Sequence, residues 1–574
     1  MSRIGCLLAL VGLACSGQPS PRNETELELP APGALAERDL RDELVYQVLV
    51  DRFDNAAPEP ADLPDRPVPD DLARIQGGDW PGLSRRLPYI RDLGMTAIWI
   101  SPIFENVARY VDEDGYHGYW AADLTRLNPY FGSLADLQQL VERAHELGLK
   151  VFVDVAPNHF GQVFGYDLDR DGRSSEAEML PPFREDAPYE APLVWSHQPH
   201  VFDGHAELAD GLTAPSPHLT RRVLDDAAFH RRGSIRAFVD PNEVELGDFP
   251  KGLRDLKTED DAVVSGLVDS YAEWVRLTKI DGFRLDAVPH ASREFWTALC
   301  SRLRVRLHEF GRDRFFIFGE AFRGESEVLA SYSGPGSMDS VLDFAFLMRV
   351  VNGYVLAGQA ATTTVGALST DRVLYPREPQ PGGVGLDPWQ ARLSFADNHD
   401  TGRILGKLPD PYAVELAMTL VLTVDAIPVI YYGTEQGFDG RTQHAAREPM
   451  WWAGYGDRYP LHTYLRRLAF LRRSHAALAR GDLTVRYASA SDGSSTDSDA
   501  GLLAFERSLE GDRVLVVTNA HANQTSQATI PSGFAASTAL KDALAPTAPP
   551  LMVSADGSVR VSLPPRRAAV FVSD

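Results

Sequence analysis

From Val45 onward, short apolar runs alternate with stretches in which apolar residues recur every three or four positions. The short runs are typical of buried parallel strands, and the wider spacing is typical of amphipathic helices. Helices are predicted most clearly at 133–147 and 260–277. Strands are predicted at 46–50, 97–101, 150–155, 281–285, 315–319, 340–343, 393–396 and 428–432. Strand–helix units in this number favour an α/β fold, a (β/α)8 TIM barrel, over an open doubly wound sheet.

Two departures from this alternation predict further domains. Residues 158–258 separate the third strand from the next helix, and a structureless loop of that length is uncommon in a compact domain. We therefore expect an inserted subdomain there, with the barrel formed by residues 41–157 and 259–480. After His475 the pattern changes to short alternating strands, which predicts a C-terminal antiparallel β-sandwich over 481–574.

Four of the predicted strands end at residues that can carry chemistry. The sequences are DVAPNH at 154–159, GFRLD at 282–286, FGE at 318–320 and DNHD at 397–400. A barrel of parallel strands brings these ends together at one mouth, where functional residues are expected. The pattern therefore predicts one active site assembled from distant parts of the chain.

These four motifs resemble those of the α-amylase family of glycoside hydrolases. Further similar motifs are YQVLVDRF at 46–53, GGDW at 77–80, YHGYW at 116–120 and YYGTEQ at 431–436. So many short motifs in one order make an accidental match improbable. The resemblance is strong over residues 41–480 and looser over 481–574, and it implies the inserted and C-terminal domains predicted above.

The resemblance also implies roles for three acidic residues. Glycoside hydrolysis needs one carboxyl group that protonates the leaving oxygen and another that attacks or stabilises the sugar carbon. By resemblance, Asp286 is the nucleophile that forms a β-glycosyl intermediate, Glu320 is the general acid and then base, and Asp400 binds the sugar hydroxyls. Arg284 lies two residues before Asp286, so both side chains point to one side of the strand. Arg284 would keep Asp286 ionised; the alternative is a purely structural buried ion pair.

The remaining substrate contacts are also implied by the resemblance. His117, His159 and His399 would donate hydrogen bonds to the sugar at the cleavage position, and Tyr119 would offer its ring face. For Trp120 we favour packing in the core. A zinc site is the rival interpretation of the histidines, but their dispersed positions lack the close spacing of a zinc motif.

The chain departs from the family pattern beside the catalytic strand. Pro289 precedes His290 where the family usually has lysine before histidine. His290 is therefore retained as a substrate-binding residue, while the missing lysine leaves substrate affinity and product pattern open.

Two calcium sites are expected. Residues 167–178 read DLDRDGRSSEAE and fit the twelve-residue pattern D-x-D-x-D-G-x5-E of a calcium loop. Its ligands would be Asp167, Asp169, Asp171, the Arg173 backbone carbonyl and Glu178. Nearby glycines and prolines argue against paired helices, and the alternative is a solvated acidic turn. By resemblance, a second site would use Asn158, Asp255 and the backbone carbonyl of His290.

Charge and cysteine content limit the kinds of binding partner and cross-link that the chain can have. With 56 basic and 80 acidic residues the net charge is −24, which argues against nucleic acid and suits a neutral α-glucan substrate. The three cysteines, Cys6, Cys15 and Cys300, cannot build a disulfide framework. We expect a monomer.

The N-terminus predicts export. Arg3 and an apolar run through Ala14 are suited to a signal peptide over residues 1–15. Cys15 resembles the lipid-bearing cysteine of a bacterial lipoprotein, although Gly12 occupies a position where the lipoprotein pattern prefers a large aliphatic residue. The alternative is an ordinary cleaved signal, so the protein would be secreted or membrane-anchored. Residues 16–40 are too poor in apolar content to fold and are predicted to be a disordered linker.

Three functions are consistent with these features. The first is a retaining α-amylase that cleaves internal α-1,4 bonds of starch, glycogen or maltodextrins. The second is a transglycosylase, because residues 46–132 also resemble cyclodextrin glucanotransferases. The chain is short for the extra C-terminal domains usual in those transferases, which favours hydrolysis. The third is a non-catalytic glucan-binding protein, which the retention of all three acids disfavours.

Overall fold

The computed structural model of the chain describes residue 35 and residues 38–56, 67–68, 71–204, 219–440 and 446–573. The predicted signal peptide, Cys15 and nearly all of the predicted linker lie outside the described residues. Within the described part, no helix has the length and apolar character needed to cross a membrane.

The centre of the molecule is a parallel β-barrel of eight strands. The strands are β1 Val45–Val48, β2 Ala97–Ile100, β3 Lys150–Val155, β4 Gly282–Leu285, β5 Phe316–Gly319, β6 Ser340–Val341, β7 Leu393–Ser394 and β8 Ile427–Tyr431. Their spatial order follows the chain, and a parallel bridge between Leu342 and Leu393 joins the β6 side to β7. The predicted (β/α)8 barrel is therefore confirmed.

Helices cover the outside of the barrel. The longer ones are Trp80–Asp92, Leu134–Glu146, Asp261–Thr278, Arg293–Glu309, Pro411–Thr423 and Pro460–Ser474, with a π-helix at Phe346–Leu356. Shorter α-helices are Ser326–Ser331, Val365–Leu368, Ile404–Lys407 and Ala476–Arg480. Several begin where a side chain accepts a backbone N–H: Asp79, Ser133, Asp260, Ser292 and Asp410 are such N-caps. Short polar side chains thus set the starts of these five helices.

Between β3 and the helix Asp261–Thr278 lies a separate layer of short elements, called the insert here. Its strands are His159–Phe160, Phe164–Tyr166, Leu193–Trp195, His200–Asp203, Thr220–Val223 and Arg254–Asp255, and its α-helices are Glu176–Met179 and Pro241–Leu246. The first and last of these strands pair antiparallel, so the insert leaves and rejoins the barrel at one place. A further set of short strands precedes the helix Leu134–Glu146: Phe104–Asn106, Arg109–Tyr110, Glu113–Asp114 and Ala121–Leu127.

The C-terminal region is antiparallel. A six-stranded sheet runs in the spatial order Asp482–Ala488, Leu502–Leu509, Asp512–Asn519, Arg567–Ser573, Ala539–Asp542 and Leu551–Met552. A second sheet pairs Ser526–Pro531 with Ser558–Leu563. Alternation along Leu502–Leu509 places Leu502 and Ala504 in a core shared with the second sheet, whereas Leu503 and Phe505 belong to the core that extends from the barrel. The larger sheet is therefore packed on both faces.

Candidate active site

Asp286, Glu320 and Asp400 line one cleft at the mouth of the barrel. Asp286 follows β4, Glu320 follows β5, and Asp400 lies in the loop after β7. The cleft has a volume of about 550 Å³ and is also lined by residues of the insert. Strand ends that are distant in the sequence thus bring the three predicted acids into one site, where a chain of sugar residues could reach all of them.

Arg284 lies beneath this cleft and is fully buried. Its register on β4 places it beside Asp154 of β3, and its Nη1 donates to Oδ1 of Asp154 at 2.8 Å and to Oδ1 of Asp286 at 2.5 Å. Its Nη2 lies 3.7 Å from Oε2 of Glu320. Burial raises the pKa of Asp154 to about 6, although the Arg284 guanidinium opposes this. One guanidinium therefore faces three carboxyl groups and can compensate only part of their charge.

Glu320 has a carboxyl group with an unusually high pKa. Burial raises the pKa of its carboxyl group to about 8; Arg284 opposes this shift, and the nearby Asp286 and Asp400 carboxylates add to it. Its Oε2 accepts a long hydrogen bond, 3.3 Å, from the Ala287 amide. A carboxyl group that keeps its proton near neutral pH can act as a general acid.

Asp400 has the opposite electrostatics. Although burial acts to raise its pKa, the charges of His399, Arg447 and Arg284 hold that pKa well below its usual range. His399 Nε2 lies 3.0 Å from Oδ2, and Arg447 Nη2 donates to Oδ1 at 3.1 Å. Gln47 Nε2 lies 3.0 Å from the other ring nitrogen of His399 and so orients the imidazole toward Asp400. Asp400 is thus an ionised carboxylate in the cleft.

The predicted aromatic and histidine contacts form one stacked group. The Tyr119 ring is stacked on His399, with centroids 5.4 Å apart and an interplanar angle of 4°. The centroid of the His117 ring lies 5.6 Å from that of Tyr119. Tyr119 also donates from its hydroxyl to Oδ2 of Asp154 at 2.8 Å. His159 Nε2 lies 3.1 Å from the Tyr119 carbonyl oxygen. All four side chains line the cleft; Trp120 also borders it, but it is buried, as expected for core packing.

His290 belongs to the wall made by the insert. Its Nδ1 lies 2.9 Å from the Val244 carbonyl oxygen, and its ring packs edge-on against Phe249 at 4.5 Å. Burial lowers its pKa to about 4, so the imidazole is neutral near pH 7. Pro289, which stands where the family has lysine, lies beside it in the cleft.

At the junction of insert and barrel, the side chains expected to bind calcium already have partners. Asn158 Oδ1 lies 2.9 Å from Nδ1 of His159, and Oδ2 of Asp255 is hydrogen-bonded to Nδ1 of His230. Burial acts to lower the pKa of His230, but its contacts with Asp255 and Glu259 raise it to about 9. The His230 imidazole thus contacts one oxygen of the carboxylate that the resemblance assigned to calcium. This second calcium site stays a prediction, and no catalytic step is derived from it.

The loop 167–178 contains the acidic group that its motif predicted. Ligand oxygens of Asp167, Asp169 and Asp171 lie within 4.8 Å of one another. Glu178, expected as the fourth acidic ligand, is not a member of this group among the described residues. Its carboxylate instead accepts four hydrogen bonds from the loop: Oε1 from the amides of Leu168 and Asp169, and Oε2 from the amide and hydroxyl of Ser175. The role of Glu178 is corrected to that of a cap that closes the loop.

Three residues of the site were not predicted. Asp154 and Gln47 lie inside apolar strand runs, and the motifs DVAPNH and YQVLVDRF contain them. A polar residue within a buried strand is the signal that could have identified both. Arg447 lies in the loop after β8, where the sequence has no periodic pattern.

Comparison with known proteins agrees with this geometry. Residues 47–457 match the model of the α-amylase catalytic domain. The chain belongs to the α-amylase family. It is 34% identical over 559 residues to an α-amylase of Streptomyces lividans, an alignment that covers 88% of this chain and 57% of the relative. It is 29% identical over 509 residues to a cyclomaltodextrin glucanotransferase of Geobacillus stearothermophilus, covering 86% of this chain and 62% of that enzyme.

One solved structure of similar length is a transferase. CldA, described as a cyclomaltodextrin glucanotransferase with a three-domain ABC distribution, superposes with a TM-score of 0.71 and 26% identity. The match covers 93% of this chain and 99% of CldA. A transferase of this size therefore exists, so chain length does not distinguish hydrolysis from transglycosylation.

Proposed function

We propose that the protein is a retaining α-amylase that hydrolyses internal α-1,4-glucosidic bonds of starch, glycogen or maltodextrins. One observation carries the proposal: Asp286, Glu320 and Asp400 share a cleft in which Arg284 bonds Asp286 and lies 3.7 Å from Glu320. Glycoside hydrolysis needs a protonated carboxyl group and a second carboxyl group that attacks the sugar carbon, and these are the roles proposed for Glu320 and Asp286. The family membership and the named relatives support an α-glucan as substrate.

In the first step, the Glu320 carboxyl group donates its proton to the glycosidic oxygen while a carboxylate oxygen of Asp286 attacks the anomeric carbon. The bond from that carbon to the leaving oxygen breaks, and the shortened chain leaves with the proton. The hydrogen bond from Arg284 fixes the direction of the Asp286 carboxylate. A glycosyl ester on Asp286 remains.

In the second step, the Glu320 carboxylate takes a proton from water, and the oxygen of that water attacks the anomeric carbon. The ester bond breaks, Asp286 is restored as a carboxylate, and Glu320 is protonated again. Asp400 and the histidines around it would hold the sugar hydroxyls through both steps. Each step uses side chains of this chain alone, and we propose calcium only as a structural ion of the insert.

Transglycosylation is the second candidate. A sugar hydroxyl can replace water in the second step, and the likeness to CldA and to the Geobacillus transferase favours this alternative specifically. Phe322 is half exposed and lines the cleft close in sequence to Glu320, so an apolar surface is present on which an acceptor sugar could stack.

Product analysis distinguishes the candidates. The protein is incubated with amylose and with a defined maltooligosaccharide, and linear and cyclic products are resolved by chromatography. An α-amylase yields linear maltooligosaccharides from both substrates, whereas predominantly cyclic products from amylose would identify a transferase. An absence of any product would leave only glucan binding and overturn the proposal.

We further propose that the protein is exported, as its first fifteen residues predict, and is either secreted or anchored through Cys15. Mass spectrometry of the mature N-terminus from the native host tests this, since a diacylglyceryl group on Cys15 and a simple cleavage give different masses.

A further inference from the structure

The loop 167–173 has a feature that the proposed chemistry does not use. Asp167 is only 5% exposed, and its Oδ1 has no hydrogen-bond partner among the described residues. Its other oxygen, Oδ2, accepts from the Gly172 amide at 3.2 Å. A buried carboxylate oxygen without a partner carries an uncompensated desolvation cost unless an ion or a water contacts it.

The Asp167 carboxylate also lies beside further negative charge. One carboxylate oxygen of each of Asp167, Asp169 and Asp171 lies within 4.8 Å of the other two, and none of the three carboxylates forms an ion pair in the part of the chain that the structure describes. Like charges at this separation repel, and the repulsion is strongest for the buried member. A cation bound by the cluster would offset this repulsion and would supply a partner for the buried Asp167 carboxylate.

The backbone has the conformation that such a site requires. Arg170 and Gly172 are left-handed, with φ of 61° and 83°. One oxygen of Asp169 accepts from the Asp171 amide at 3.1 Å, and one of Asp171 accepts from the Arg173 amide at 2.8 Å. Each of these two side chains has a second carboxylate oxygen for a ligand bond. Glu178 fastens the two ends of the loop through the hydrogen bonds described above, so the loop is closed before an ion arrives.

We propose that this loop binds one calcium ion through the carboxylates of Asp167, Asp169 and Asp171 and the backbone carbonyl of Arg173. All of these donors are oxygens, as a hard cation prefers, and water can complete the six to eight ligands that Ca²⁺ accepts in irregular geometry. Mg²⁺ demands near-ideal octahedral geometry and is less suited to an open loop.

The ion would support the cleft from outside the active site. The loop leads into the helix Glu176–Met179, and the Met179 carbonyl oxygen accepts from Nη2 of Arg254 at 3.0 Å. Arg254 is fully buried and also donates to Oδ2 of Asp248 at 2.7 Å and to the Phe164 carbonyl oxygen at 2.8 Å. The adjacent residues Phe249 and Leu253 line the cleft. Calcium would therefore stabilise the insert wall that contacts substrate, without taking part in bond cleavage.

The test uses the full-length protein stripped of metal, with CaCl₂ as the probe. Calorimetric titration counts the calcium equivalents bound by the wild type, by the double variant Asp169→Asn/Asp171→Asn and by the control Asp186→Asn, which removes an exposed carboxylate elsewhere in the insert. We expect the double variant to bind one equivalent fewer than wild type, or to bind it at least roughly 100-fold more weakly, because ligand charge sets calcium affinity. The control should bind as wild type does.

Thermal unfolding gives a second readout that does not depend on catalysis. Saturating calcium should raise the Tm of wild type and of Asp186→Asn by at least about 2 °C, and should raise that of the double variant less. If the double variant binds the same number of calcium equivalents with the same affinity as wild type, the proposed site is wrong. If MgCl₂ raises the Tm as much as CaCl₂ does, the proposed preference for calcium is wrong. Because neither measurement uses glucan turnover, failure of this inference and failure of the proposed hydrolase activity are distinguishable.

Discussion

The Nη1 atom of Arg284 donates a hydrogen bond of 2.5 Å to Oδ1 of Asp286 from a position that solvent does not reach. The same atom bonds Asp154, so the guanidinium holds two carboxylates that belong to neighbouring strands. An ion pair in the interior would be only a structural contact, but here one of its members projects into a cleft with two further acids. The position of the attacking carboxylate therefore depends on an arginine that the barrel strands hold in place.

Replacing this arginine by lysine should reduce catalysis strongly. Arg284→Lys keeps a positive charge but cannot direct a rigid guanidinium to both partners, so kcat is expected to fall about 100-fold, comparable with the loss of one oriented donor at an active site. Arg304→Lys is the matched control, because Arg304 is also a buried arginine but bonds Ser337 on the outer side of the barrel. Steady-state kinetics on maltooligosaccharides and thermal unfolding separate the two effects. Equal kcat values for the two variants would refute the coupling.

The pH dependence should reveal the general acid. The pKa of Glu320 is raised to about 8, and the acid is active only while it holds its proton. As pH rises through 8, Glu320 loses that proton and kcat/KM should fall, approaching a tenfold decrease per pH unit above the pKa. Initial rates between pH 6 and 10 measure this limb. Rates that stay constant from pH 7 to 10 on a folded enzyme would exclude this assignment.

Gln47 should act as a positioning residue. Its amide fixes the His399 ring whose other nitrogen lies against Asp400, so Gln47→Leu frees that ring. We expect kcat to fall roughly 10-fold with a smaller change in KM, because a slightly misplaced contact costs more in the transition state than in binding. Gln139→Leu, on the exposed face of the helix Leu134–Glu146, is the control and should be unchanged. Asparagine carries the same amide on a shorter side chain. A wild-type kcat in Gln47→Asn would therefore contradict the positioning role of Gln47.

The contact between the barrel and the C-terminal sheet should affect stability alone. The Tyr354 hydroxyl is buried and lies 2.7 Å from the Gly501 carbonyl oxygen and 2.9 Å from Thr518 Oγ1. Tyr354→Phe leaves these groups without that partner, so the free energy of unfolding should fall by about 1–3 kcal/mol. Denaturant titration measures this change, and kcat should stay at the wild-type value. A variant as stable as wild type would show that the hydroxyl is dispensable.

The barrel could be predicted because most of its strands are short apolar runs that are buried on both faces, and four of the predicted strands end at residues that can carry chemistry. For β4, the prediction 281–285 and the observed strand Gly282–Leu285 differ by one residue. The alternating pattern after His475 likewise predicted the antiparallel C-terminal sheet. Periodicity was informative in both regions because burial there follows the geometry of the strand itself.

The site was predictable only where a motif carried its residues. Asp286 and Glu320 directly follow strand ends, Arg284 lies on β4, and Asp400 belongs to the motif after β7. Arg447, by contrast, reaches Asp400 from a loop without a sequence pattern, through folding alone. His230 pairs with Asp255 although 25 residues separate them, and no spacing rule links an imidazole to that carboxylate. The contact between His230 and Asp255 therefore became visible only in the fold.

Trapping the intermediate tests the central claim, that Asp286 attacks the sugar carbon while Glu320 supplies the proton. The Glu320→Gln variant is incubated with α-maltosyl fluoride, whose fluoride leaves without acid help, and the digested protein is analysed by mass spectrometry. Because glutamine cannot activate water, the account predicts that a maltosyl group accumulates on the peptide that contains Asp286. Fluoride release with no adduct on that peptide, or with an adduct on a different carboxylate, would contradict it.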